Sequence, residues 1–260
     1  MATPGPLRVV EWNLLGYRRI WMSSIVSSFV QPLLYLVGIG LGVGTLVTRN
    51  PSSRALLGGA GYARFIAPGL LATTAMMVAS VESTFPVFAG FKWIRVYHAM
   101  AASPLTAVDI VLGHLLWIGL RVLLAAGSVG LAMELVPSTR AGRLPLAVLA
   151  AALCGLAFAM PLAAYAAGAD TERGFVAFQR FALTPMLLFA GTFVPVSQLP
   201  AAVRPIAYVT PVWHGVELCR GVTLGTLRAG PALGHVAYLM SFVVVGTFVS
   251  VRRFAGRLAT

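Results

Sequence analysis

The chain has 260 residues, of which 58% are hydrophobic and only 10% are charged, whereas roughly a quarter of the residues in a soluble domain are charged. This composition excludes an ordinary soluble protein and indicates an integral membrane protein. The net charge of +12 would suggest nucleic-acid binding in a soluble chain. Here the arginines fall at the ends of apolar runs, where they meet anionic lipid headgroups, and no nucleic-acid partner is expected.

Six apolar runs are long enough to cross a bilayer, which takes about 20 helical residues. They predict an all-α integral membrane protein in which residues 1–260 form a single transmembrane domain. The predicted spans are 20–47, 64–90, 106–133, 144–168, 174–196 and 232–251.

Residues 1–19, before the first span, mix aromatic with basic side chains, namely Trp12 and Tyr17 with Arg8 and the doublet Arg18 and Arg19. Such a mixture predicts a helix that lies in the membrane interface. The doublets 18–19 and 252–253 each flank a span directly. Because basic residues concentrate on the cytoplasmic side, they predict that both termini are cytoplasmic.

Two charged residues fall within the predicted spans, Glu82 near the end of the second and Arg121 near the middle of the third. A charge at such depth is tolerated only where it faces protein or water. Arg121 could pair with Glu82, neutralise an anionic group in transit or hold the helices together. We therefore place both residues, with the apolar Phe189 and Phe193, in a candidate translocation path.

The second and third spans are joined by residues 91–105, a short loop that ends in a proline. Thr106 and Asp109 follow it with the spacing of a capping box, which predicts the start of the third span. A short helix, a proline and a fresh cap together predict a stiff elbow. Its candidate contact residues are Lys92, Trp93, Arg95, Tyr97, His98, Met100 and Pro104.

The fifth span runs into a segment that prolines interrupt repeatedly. Each proline removes a backbone donor and forbids an unbroken helix, and non-helical backbone in a membrane must be buried in protein or line a wet cavity. We predict that residues 197–231 form a proline-broken re-entrant hairpin at the outer face. Within it, Thr210 should cap a helix that begins at Pro211 and ends at Gly221. The candidate gate residues are Pro195, Pro200, Pro205, Pro211, His214 and Glu217.

Three blocks resemble the ABC-2 family of exporter permeases, particularly its nodulation-type lipo-oligosaccharide and drug-export branch. They are FIAPGLLATTAM from Phe65, RVYHAMAASPLT from Arg95, and FAGTFVPVSQLP from Phe189 followed by TPVWHGVELCR from Thr210. The resemblance implies that the 91–105 loop is the coupling helix that sits in a groove of an ABC ATPase. The family commonly has an acidic residue where this chain has His98.

The same resemblance implies partners and a location. The partners would be the cytoplasmic ATPase and a second copy of this chain or a close homologue. The cargo would be amphipathic: a glycolipid, a lipid-linked saccharide or a lipophilic drug. The location would be the bacterial plasma membrane.

The sequence contains no energy source of its own. Its single lysine, Lys92, stands in AGFKWI, which lacks the G-x-x-x-x-G-K-[ST] pattern of a phosphate-binding loop. We therefore predict an exporter permease that is not an enzyme and binds no metal or cofactor, with ATP and Mg²⁺ held by the partner ATPase. Two alternatives stay open, an ion-coupled carrier or channel and an intramembrane enzyme. The enzyme would use Glu82, His114 or the pair His214 and Glu217 as acid and base.

Overall fold

The computed structural model describes residues 4–19, 21–22, 30, 33–34, 36–44, 47 and 61–259. All regular structure in these residues is helical. About half of the predicted first span, 20–47, lies within them; its described residues are helical and include a π-helical stretch, Leu36–Val43. The N-terminal residues form helix α1, Gly5–Tyr17.

Four helical stretches are long and apolar enough to cross a membrane among the described residues. They fall on the second, third, fourth and sixth predicted spans. In chain order they are α2 (Tyr62–Ser83) with its continuation α3 (Phe85–Lys92), α5 (Ala107–Leu135), α6 (Leu144–Gly168) and α11 (Ala229–Leu258). The short helix α4, Val96–Ala101, lies between α3 and α5.

The limits of these helices follow from local chemistry. Pro86 cannot donate a hydrogen bond, and its ring would clash with the carbonyl four residues earlier, so the helix breaks at Thr84 between α2 and α3. The predicted capping box at the start of α5 is confirmed, because Thr106 Oγ1 accepts from the Asp109 amide at 3.2 Å and the Asp109 carboxylate accepts from the Thr106 amide at 2.9 Å.

The fifth predicted span is shorter than expected. It consists of α7 (Arg173–Phe178), a π-helical stretch (Gln179–Leu183) and α8 (Thr184–Phe189); we call these residues the fifth segment. The helix ends before the predicted limit of 196 because Gly191 adopts a left-handed conformation with φ of 84°, a typical way for a helix to terminate.

Helix α6 lies at the centre of the bundle and packs against α2, α5 and α11. Two glycines allow the close approaches. A Cβ on Gly155 would lie 2.8 Å from the carbonyl oxygen of Ala75 in α2, and a Cβ on Gly246 of α11 would lie 2.5 Å from the ring of Pro161. Small residues at such crossings let helix backbones pack closely within a membrane.

The proline-broken segment is also helical in pieces. A 3-10 turn, Val196–Gln198, is followed by α9 (Arg204–Val209) and α10 (Pro211–Leu224). Thr210 is the N-cap residue of α10 as expected, although its hydroxyl donates to Ala207. The predicted end at Gly221 is wrong, because the left-handed residue that stops the helix is Gly225, with φ of 72°.

Two ends of the bundle are distinguishable from these contacts. At one end, three parts of the chain lie together: the turn between α3 and α4, the turn between α6 and α7, and the last residues of α11. They are joined by ion pairs of Asp170 with Lys92 and Arg257. We call this the elbow end. The first residues of α2, α6 and α11 therefore lie at the opposite, far end.

Candidate functional site

The elbow is shorter than the predicted 91–105, because α3 continues to Lys92. It comprises residues 93–104 and begins with a sharp turn of the backbone. Arg95 has a φ of 55°, which is a left-handed backbone conformation that residues other than glycine seldom adopt. The amide of Ile94 donates to the carbonyl of Ala89 at 2.8 Å and closes the end of α3. The turn sends the chain sideways into α4, so the predicted elbow is a defined bend between two helices.

Tyr97 fixes the elbow to the bundle. Its side chain is 4% exposed, and its ring packs against Phe91 of α3 and Phe254 of α11 at centroid distances of 4.8 and 5.2 Å. Burial raises the pKa of Tyr97 above its ordinary value, so the phenol stays protonated. Lys92 adds an ion pair of 3.3 Å to Asp170. Movement of the elbow must therefore carry α3 and α11 with it.

The opposite side of the elbow is apolar and open. Trp93 and Ile94 are 64% and 65% exposed, and Arg95 and Pro104 are also exposed. His98 and Met100 are half-buried. The predicted contact residues thus divide into those that hold the elbow, above all Tyr97, and those that face outward.

Glu82 and Arg121 form an ion pair between α2 and α5. Arg121 Nε donates to Glu82 Oε1 at 2.9 Å, with the two side chains 13% and 19% exposed. The guanidinium also lies over the ring of Tyr17 in α1, 4.3 Å from its centroid. Of the three possibilities left open by the sequence, the structure shows the pair with Glu82, and that pair joins three helices.

The other acid–base candidates lie in separate surroundings. His114 is buried in α5, edge-on to Tyr97 at 6.3 Å, and its ring nitrogens have no hydrogen-bond partner among the described residues. Glu217 binds Arg220 at 2.7 Å, and His214 binds His235. The structure therefore gives His214 and Glu217 different partners.

Helix α10 enters the bundle deeply. Gly215 lies against Cys154 of α6 and Ala72 of α2, and a Cβ at that glycine would overlap the Cys154 sulfur. Both neighbours are about ten residues from the far end of their helices, or roughly 15 Å at the helical rise. The start of α10 thus lies well inside the bundle, with its backbone buried by α2 and α6, as a re-entrant segment requires.

Arg220 connects this re-entrant helix to its surroundings. Its guanidinium bonds Glu217 at 2.7 Å and the carbonyl of Gly191 at 2.6 Å, and it lies 4.1 Å from the ring centroid of Phe65. Gly191 ends the fifth segment and Phe65 starts α2, so one side chain ties three parts of the chain. Thr192 is buried here, within van der Waals reach of Gly69.

A histidine pair ties α10 to α11. The two Nδ1 atoms of His214 and His235 are 2.8 Å apart, and His214 Nε2 lies 3.1 Å from the Tyr208 carbonyl. Because a carbonyl only accepts, a neutral His214 carries its proton on Nε2 and accepts from His235 through Nδ1.

The remaining predicted residues lie around this cluster. Pro211 is buried at the start of α10, Pro195 is half-buried, and Pro200 and Pro205 are exposed. Phe189 is exposed at the end of α8, and Phe193 is half-buried and packs against the core.

Sequence reasoning missed several residues that the structure makes central: Ile94, Asp170, Arg220, His235 and Arg257. The ion-pair partners of Asp170 and Arg257 are far away in sequence, as are Gly191 and Phe65, which Arg220 contacts besides Glu217, so no local pattern marks these contacts. Ile94 carried a signal, since it is an apolar residue directly after Trp93 in an otherwise polar turn.

These features define a helical, multi-spanning membrane protein with a rigid elbow at one end and a re-entrant helix at the other. A family model described as ABC-2 type transporter matches residues 8–224. The chain therefore belongs to the ABC-2 type transporter family and is a membrane component of such a transporter, as the three sequence blocks indicated.

Three relatives illustrate the extent of the similarity, each called Nodulation protein J. The protein of Rhizobium leguminosarum bv. viciae is 32% identical over 252 residues, covering 97% of this chain and 94% of the relative. That of Sinorhizobium fredii is 35% identical over 253 residues, covering 95% and 91%. That of Bradyrhizobium diazoefficiens is 31% identical over 263 residues, covering 99% and 97%.

Proposed function

We propose that this chain is the permease subunit of an ATP-binding-cassette exporter, driven by a separate ATPase that binds ATP and Mg²⁺. The observation that carries the proposal is the elbow, which exposes Trp93 and Ile94 while Tyr97 anchors its other side. A tryptophan beside an aliphatic residue is typical of the few residues that dominate a protein–protein interface.

The elbow also suits the transmission of movement. Tyr97 packs on α3 and α11, and the Lys92 ion pair reaches the turn after α6. A motor that displaces the elbow would therefore pull on three long helices together, because packed interiors transmit displacement with little compression.

At the far end, α10 and its surroundings would form the gate. Arg220 holds α10 to the end of the fifth segment, and the histidine pair holds it to α11. Phe189, at the end of α8, and Phe193, just after it, would line the path beside α10. Release of these contacts would open a route between two copies of the chain arranged around a twofold axis.

The resemblance of the three sequence blocks to the nodulation-type lipo-oligosaccharide branch supports an amphipathic cargo, of which an acylated oligosaccharide is the form we favour. The elbow end would face the cytoplasm of a bacterial cell, with both termini on that side of the plasma membrane. Cargo would then move from the cytoplasm or inner leaflet outward.

The proposed contact with the ATPase is tested by adding a charge to the exposed apolar side of the elbow, at Ile94. In the full chain co-purified with its ATPase, Ile94→Asp should weaken ATPase binding at least tenfold and abolish its stimulation, because the apolar contact would have to bury a carboxylate. Thr171→Asp is the matched control, since it adds the same charge to the other exposed turn at the elbow end. Equal binding by both variants would overturn the proposed role of the elbow.

A further inference from the structure

A large groove runs along the fifth segment, between it, α6 and α11. The cavity has a volume of about 760 Å³, within the roughly 300–1,000 Å³ range of small-molecule sites. Its walls are almost entirely apolar and include Phe158, Leu162, Phe178, Met186 and Phe242.

The groove is built into the fold. At the elbow end the fifth segment is pinned by Phe175, whose ring makes edge contacts with Phe85, Phe88 and Tyr165 at 5.4 to 5.6 Å. Beyond this cluster the π-helical stretch alters the course of the segment. Phe181 lines the cavity and is 81% exposed, so the groove opens sideways to the surroundings of the bundle.

A second cavity of about 280 Å³ continues the groove toward the elbow end, sharing Pro161 and Tyr165 with the first. Arg253 lines it. This arginine is exposed and makes no ion pair or hydrogen bond with the residues that the structure describes. The next basic residue of the helix, Arg257, is already engaged with Asp170.

The dimensions match one leaflet of a membrane. Phe242 and Arg253 lie on the same helix, about three turns or roughly 16 Å apart. Half of a bilayer's hydrocarbon core is about 15 Å thick. An acyl chain in the larger cavity would therefore place its headgroup beside Arg253.

We propose that this groove is a binding site for one anionic glycerophospholipid of the leaflet at the elbow end. The acyl chain fills the apolar cavity, which would otherwise lose dispersion contacts along its walls. The phosphate group lies at the guanidinium of Arg253, since basic residues at the membrane surface attract anionic headgroups. The site belongs to the single chain, so it does not depend on the proposed ATPase or cargo.

The headgroup half of the proposal is tested with neighbouring arginines. The purified full-length protein is placed in nanodiscs of phosphatidylcholine with a minor share of phosphatidylglycerol, and the retained lipids are counted by native mass spectrometry after gentle release. Arg253→Gln should reduce retained phosphatidylglycerol about fivefold. Arg252→Gln should leave it unchanged, because Arg252 lies over Phe248, 4.3 Å from its centroid, and does not line the cavity.

The acyl half is tested by filling the groove. Ala177 is exposed and lines the cavity, so Ala177→Trp should expel the lipid without crowding the core. Val176→Trp is the control, because Val176 is exposed and does not line the cavity. The proposal is overturned if no lipid is retained, if phosphatidylcholine is retained equally, or if each variant behaves like its control. Retention of an acylated oligosaccharide in place of the phospholipid would also overturn it.

Discussion

Neutralising one member of the ion pair between Glu82 and Arg121 should destabilise the protein as much as neutralising both. The two charged atoms are 2.9 Å apart and the side chains are mostly buried. Removing one partner breaks this buried ion pair, which costs about 3 kcal/mol or more. Placing an arginine at the centre of a membrane helix costs a comparable amount, roughly 2.5–3.5 kcal/mol.

The double substitution removes both charges, so it should not add the two losses. If Glu82→Gln and Arg121→Gln each lower the free energy of unfolding by about 3 kcal/mol, the double variant should lose about 3 and not 6 kcal/mol. The difference of about 3 kcal/mol is a coupling energy near the upper end of the range for contacting residues. Reversible unfolding of the purified protein in mixed micelles measures all three variants. Transport by the double variant should stay within a few fold of the wild type.

Additive losses would refute the reasoning, because they would show that the two residues act independently. A double variant with native stability and no transport would show instead that one of them contacts cargo.

Two further outcomes are expected. Gly215→Ala should lower the free energy of unfolding by about 1–3 kcal/mol, because the added methyl group overpacks the contact of α10 with α2 and α6. Gly234→Ala, where a Cβ meets open space, should be close to neutral. Equal effects of the two substitutions would contradict the close contact at Gly215. Arg220→Gln should raise ATP-independent dye leakage from vesicles, whereas Arg228→Gln, an exposed arginine at the same end, should not.

Local features of the fold could be predicted from the sequence. The start of α5 followed from Thr106 and Asp109, since a capping box is confined to four residues. The fifth segment was predicted too long, because its apolar composition continues past Phe189 while the backbone turns at Gly191. Apolar composition indicates which residues lie in the membrane or the protein interior, but it does not indicate where a helix ends. That limit is set here by a single left-handed residue.

The candidate site was less predictable because its contacts join distant parts of the chain. Glu82 and Arg121 were both singled out, yet their pairing was one of three possibilities until the helices were placed. Arg220 was not singled out, because two of its partners, Gly191 and Phe65, become its neighbours only when α10 enters the bundle. Tyr97 was identified as part of the elbow, but only packing shows that it faces inward.

Vesicle transport tests the central claim most directly, namely that a separate motor drives this chain through the elbow. The chain is reconstituted alone and with its ATPase, and movement of a fluorescent acylated oligosaccharide is followed against its gradient. Uphill movement should require the ATPase and MgATP together and should fail with Ile94→Asp. Sustained uphill movement by the chain alone would contradict the account.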